Sequence, residues 1–153
     1  MTEPSLRERA LRHLARRDYS RAELARKLAP YGASEEIGAV LDRMHELALQ
    51  SDARMAASWV RSHAERFGRT RLQNELSRRG VPPDLIEDAL ASDGLASEAE
   101  RACAVWRAKF HAVPADAREW ARQARFLYAR GFAAEVVRAV LREKPEDVGE
   151  ATE

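Results

Sequence analysis

Residues 78–90 read RRGVPPDLIEDAL. A helix-like segment runs into Gly80, the chain breaks, and apolar residues then return in pairs three residues apart. The same shape occurs at 30–41 (PYGASEEIGAVL) and at 129–141 (ARGFAAEVVRAVL). One copy would be a turn between two helices. Three copies predict a repeat, and the register supports one. Tyr19, Leu24, Leu28 and Gly32 align with Phe67, Leu72, Leu76 and Gly80 at a constant offset, and Leu11 with Trp59. Leu76 and Gly80 align with Leu127 and Gly131 at a second offset. Ile37, Val40 and Leu41 match Ile86, Ala89 and Leu90, then Val137, Val140 and Leu141.

Composition agrees with helices. The 153 residues are rich in Ala, Leu, Arg and Glu, hold only 7 Gly and 6 Pro, and show no sustained period-two alternation. The expected fold is all-α: three tandem three-helix repeats, helix-turn-helix-like, forming a short, curved, elongated solenoid. One such unit cannot bury its apolar face alone, and stacking of about three does so. The expected boundaries are 1–52, 53–95 and 96–144, followed by an acidic, disordered tail at 145–153.

Local signals place the helices. Ser20 and Glu23 form a capping-box pattern for the second helix, and Glu23 and Lys27 stand at i,i+4. Gly32 is expected as a left-handed stop, Ser34 as the cap of the third helix and Ser51 as that of the fourth. Helices are expected over about 5–16, 52–66, 69–79, 95–111 and 116–130. Leu6, Ala10, Leu11 and Leu14 are expected to share the buried face of the first. Pro82 and Pro83 suit a first helical turn, where a missing N–H costs little.

The net charge of +1 conceals alternation. Residues 53–80 carry 7 basic and 2 acidic side chains, 81–100 carry none and 6, and 101–144 carry 10 and 4. A uniform nucleic-acid binder would be basic throughout. Both signs along one chain fit a partner surface that carries both.

Enzymatic chemistry finds no residues to carry it. His13, His45, His63 and His111 lack metal-ligand spacing, Cys103 has no partner cysteine, and no phosphate-cradling or nucleophile-elbow glycine motif occurs. No cofactor or metal is expected. The start, MTEPSLRERAL, has no apolar signal core, and no stretch approaches a membrane span, so a cytoplasmic protein is expected. Residues 20–44 imitate a DNA-binding helix-turn-helix, but the second helix carries Glu35, Glu36, Asp42 and Glu46 against one Arg43. Phosphates would repel it. A DNA-binding regulator and a general helical scaffold therefore stand as alternatives.

The stronger signal is arginine placement. Arg118, Arg122 and Arg125 fall at i, i+4 and i+7, opposite Trp120, Ala124 and Leu127. Arg71 and Arg78 share a face one repeat earlier, and Arg71 is in register with Arg122. With Arg69, these are the expected partner-binding residues.

Four blocks carry a family resemblance: RDYSRAELARKL (17–28), LALQSDARMAASWVRSH (47–63), FGRTRLQNELSRRGVPPDLIEDAL (67–90) and ARFLYARGFAAEVVRAVLR (124–142). Their order and spacing resemble the RecX regulatory family of bacteria over roughly residues 6–143. CAVWRAKFHAVPADAREW (103–120) aligns only loosely. The lack of a long unpaired apolar stripe favours a monomer. The resemblance implies a non-enzymatic protein that lies in the groove of the RecA–single-stranded-DNA filament. It would bridge protomers and modulate, most often inhibit, RecA. A weak contact with DNA is left open.

Overall fold

The computed structural model describes residues 2–142; the acidic tail expected at 145–153 lies outside them. The described residues form nine α-helices and no strand: α1 (Leu6–Arg16), α2 (Arg21–Leu28), α3 (Ser34–Glu46), α4 (Asp52–His63), α5 (Arg69–Arg78), α6 (Pro83–Leu90), α7 (Glu98–Lys109), α8 (Ala117–Ala129) and α9 (Ala134–Val140). Three helices recur three times, as the repeat requires.

Most helix starts are written locally. Ser5 and Glu8 form a capping box on α1, as Ser20 and Glu23 do on α2. Ser51 accepts from the Arg54 N–H at 3.1 Å. Ser97 and Asp116 accept from the third residue of α7 and α8. Each such cap satisfies an orphan N–H and stabilises its helix by about 1 kcal/mol. Pro83 opens α6 with Pro82 as its cap residue.

Some expectations are corrected. Gly32 is extended, with φ −172°, because Pro30 lets the chain tighten into a 3-10 turn over Ala29–Tyr31 before any left-handed residue is needed. Ala33, not Ser34, precedes α3, and the Glu36 side chain accepts the Ala33 N–H at 3.4 Å. Glu23 pairs with Arg17 and Arg79 rather than Lys27. Leu11 is 36% exposed, since it lies beyond the edge of the stripe that buries Ala10. Helices α4 and α7 are shorter than expected, ending at His63 and starting after the Ser97 cap.

Two compact units form. Among the described residues, one comprises 2–60 with 75–92; the other comprises 61–74 with 93–142. Helices α4 and α5 contribute to both, so the compact units do not follow the sequence repeats.

In the first unit α1, α2 and α3 pack on one another around Ala10, Tyr19, Leu24, Leu28, Ile37, Leu41 and Met44. In the second, α7, α8 and α9 enclose Ala102, Val105, Ala124, Leu127, Phe132, Val137 and Leu141. Removing this apolar surface from water is what a lone amphipathic helix cannot do.

Each unit contains a comparable joint, in which Ser20 and Gly68, and Arg79 and Arg130, are equivalent in the repeat register. In the first, the buried Ser20 hydroxyl at the start of α2 donates to the Arg79 carbonyl. Arg26 Nη2 donates to the Arg78 carbonyl at 3.2 Å. In the second, the Gly68 N–H before α5 donates to the Arg130 carbonyl at 2.7 Å, and Thr70 N–H to Gly131 O at 3.1 Å. Arg71 Nη1 reaches the Ala129 carbonyl at 3.3 Å. A middle helix thus begins against the C-terminal end of the next repeat's middle helix, where last-turn carbonyls need donors. Gly80 (φ +83°) and Gly131 (φ +91°) are left-handed at these joints. A Cβ on Gly80 would lie 2.3 Å from Ala22 Cβ, and one on Gly131 2.3 Å from Arg71 Cβ. Glycine is required there by both conformation and space.

A carboxylate from the following repeat completes each joint. Asp52 accepts the Arg21 N–H at 2.7 Å, and Glu98 the Arg69 N–H at 3.2 Å. Helix α8 carries its own cap, Asp116.

Candidate functional site

The joint of the second unit exposes a basic and aromatic surface. Its base is Phe67, placed just before α5 by the Phe67-Gly68 break. Its carbonyl and that of Ala64 accept from the buried Arg101 guanidinium, which also bonds the Ala96 carbonyl at 3.2 Å. Burial pushes the Arg101 guanidinium below its ordinary value, against the pull of Glu98. This arginine ties the end of α4 to the start of α7.

Three phenylalanine rings hold cations above this frame. Arg71 lies 4.0 Å from the Phe67 ring centroid, with Arg66 at 5.7 Å and Arg130 at 5.9 Å. Arg130 also approaches the Phe126 ring, at 5.1 Å, and Lys109 does so at 4.7 Å. Phe126 meets Phe110 edge-on at 5.4 Å, and Arg122 stands 5.1 Å from the Phe110 centroid. A cation over a ring face gains about 0.5–1 kcal/mol at an exposed site and loses rotational freedom. Such guanidinium forks match carboxylates or phosphates, and that of Arg122 already holds Glu119.

The sequence-expected arginines divide as follows. Arg71 and Arg122 are joined through the series Phe67, Arg130, Phe126 and Phe110. Arg69 is half-buried at the start of α5, its N–H held by Glu98. Arg118 and Arg125 are exposed on α8 beside Arg122. Arg78 belongs to the first unit, where it pairs with Glu75 at 3.2 Å. The residues that sequence reasoning missed are Arg66, Lys109 and Arg130. A signal existed for Arg130: it precedes Gly131 as Arg79 precedes Gly80.

Charge on α8 is partly balanced. Arg122 donates to both oxygens of Glu119, and Gln123 donates to it at 3.1 Å. Those hydrogen bonds, Arg122 first, hold the Glu119 carboxyl down to about 2, and the pair raises Arg122. Gln123 is itself buried and accepts from the Trp106 indole at 2.8 Å, which fixes the face of α8 against α7.

The second helix of the DNA-binding pattern stays acidic on its surface: Glu35, Glu36, Asp42 and Glu46 are all exposed on α3. Among the described residues no group of three or more His, Cys, Asp or Glu could hold a metal, and no helix is long and apolar enough to cross a membrane.

Comparison with known proteins finds similar chains. Residues 7–44 match the RecX first three-helix domain, 51–90 the second and 96–141 the third. The chain is 54% identical over 140 residues to the regulatory protein RecX of Leptothrix cholodnii, covering 90% of this chain and 88% of that one. It is 48% identical over 139 residues to that of Chromobacterium violaceum, covering 90% and 89%. The crystal structure of RecX from Lactobacillus salivarius superposes with a TM-score of 0.73 at 20% identity, over 90% of this chain and 92% of that one.

Proposed function

The chain belongs to the RecX family, and from that premise we propose that it binds the RecA filament on single-stranded DNA and restrains it. It lies in the filament groove, contacts neighbouring protomers, and lowers RecA's ATPase, recombinase and coprotease activities. The proposed partner makes it a cytoplasmic regulator. Its relatives are named regulatory proteins, and the reading needs no catalytic residue.

One observation supports the contact surface: Arg71 and Arg122, in register one repeat apart, share one run of ring-held cations in the second unit. Contacts of this kind are numerous, weak and salt-sensitive, and they set orientation and encounter rate more than affinity per residue.

The test is the single-stranded-DNA-dependent ATPase of the cognate RecA with this protein titrated from far below stoichiometry. Inhibition is expected for the parent chain. A variant with Arg71, Arg122 and Arg125 changed to Glu should need about tenfold more protein for the same inhibition at unchanged helicity. Equal inhibition by that variant would remove this surface from the contact. No inhibition by the folded parent would remove the RecA reading itself.

A further inference from the structure

A second basic feature lies in the first unit. Arg9, Arg12, His13 and Arg16 of α1, with Lys27 of α2 and Tyr31 of the 3-10 turn, line a cleft of about 400 Å³. The size suits part of a ligand rather than a flat protein surface. Arg9, Arg12 and Arg16 stand at i, i+3 and i+7 on one face of α1, so they span about 10 Å along the helix axis. Lys27 closes the cleft from the neighbouring helix. Tyr31 is 53% exposed, with the Arg9 guanidinium 3.5 Å from its ring centroid.

The charge is not neutralised from within. Among the described residues Arg9, Arg12, Arg16 and Lys27 make no ion pair, whereas Arg17, just past the end of α1, pairs with Glu23. His13 lies among these cations. Burial first, then Lys27, Arg16 and Arg17, push it below its ordinary value. Its ring meets Tyr19 edge-on at 5.5 Å. Like charges gathered at one place cost stability unless an anion relieves them.

We propose that this cleft binds adjacent phosphate groups, with Arg9, Arg12, Arg16 and Lys27 as the donors and Tyr31 as a platform for an attached base. Three planar guanidinium forks match phosphate oxygens, and an exposed aromatic ring beside a cationic track is how unpaired bases are held. Two sources offer this chemistry: the backbone of a single nucleic-acid strand and the polyphosphate of a free nucleotide. The site is separate from the acidic α3 that excludes helix-turn-helix docking, and it does not depend on the RecA reading.

The experiment titrates the purified full chain, without RecA, with a fluorescent oligothymidylate and separately with ATP and tripolyphosphate. Anisotropy follows the strand, and proton NMR of the His13 ring follows all three ligands. Saturable binding of at least one ligand is expected, with the His13 titration midpoint rising when phosphates occupy the cleft. Binding of the strand alone identifies a backbone site; binding of ATP and tripolyphosphate identifies a nucleotide site. The variant Arg12→Ala/Arg16→Ala/Lys27→Ala should lose about tenfold or more in affinity, and its salt dependence for the strand should flatten by about two units of slope. A variant with the same charge loss elsewhere, Arg43→Ala/Arg61→Ala/Arg138→Ala, should bind as the parent does. Equal loss in the two variants, no effect on His13, or no binding of any phosphate ligand would overturn the proposal.

Discussion

Replacing Gly131 by Ala should damage the second unit far more than one added methyl suggests. The residue sits at φ +91°, where a side chain costs about 1–2 kcal/mol. The new Cβ would also fall 2.3 Å from Arg71 Cβ and 2.7 Å from Arg71 N, well inside the 3.5–4.0 Å at which carbons attract. Both neighbours are backbone or first side-chain atoms, so no flexible end can swing away. The start of α5 must withdraw, which lengthens the bonds from Gly68 to Arg130 and from Thr70 to Gly131. Each contributes about 1 kcal/mol net. Together the loss is about 3–4 kcal/mol, a large part of the stability of an ordinary domain. Gly38 supplies the contrast. It lies within α3 with nothing inside 4 Å of an added Cβ, so Gly38→Ala should stabilise by about 0.5–1 kcal/mol. Urea denaturation followed by circular dichroism at 222 nm, with slopes compared, measures both. A Gly131→Ala loss below about 1 kcal/mol, or an equal loss for Gly38→Ala, would refute the joint as the place where glycine is needed.

Ser20→Ala removes both the α2 cap and the bond to the Arg79 carbonyl, and should cost about 2–3 kcal/mol in the same denaturation. Arg101→Met keeps the bulk but strands the Ala64, Phe67 and Ala96 carbonyls, and should cost about 3 kcal/mol or more; an unchanged midpoint would show that water replaces the guanidinium freely. The Glu119 carboxyl should titrate near 2 by carbon NMR, and Arg122→Ala should return it toward 4.5. Because folding lowers this group, its contribution is full above about 4.5 and disappears as pH falls toward 2; a parent midpoint near 4.5 would rule the contribution out.

What was legible in the sequence was whatever acts within a turn or two of chain. Ser20 and Glu23 are three residues apart, so their reciprocal cap follows from spacing alone. The returning apolar pairs and the glycines at 80 and 131 gave three all-helical repeats for the same reason, since helical periodicity is a local property. Gly32 escaped because Pro30 and the Leu6 side chain beside it decide that turn, and Leu6 lies a helix away. Glu23 was expected to reach Lys27 one turn on and instead takes Arg79, 56 residues along the chain. Arg71 and Arg122 stood out by register, yet Arg130 and Lys109 acquire meaning only where folding brings Phe67, Phe110 and Phe126 together. The cleft of the first unit is likewise a product of α1, α2 and a 3-10 turn meeting. Sequence by itself determined the helices and their repetition, because backbone hydrogen bonds and amphipathic spacing operate over three or four residues. Only tertiary structure decided which charges share a surface, because that depends on where distant segments are packed.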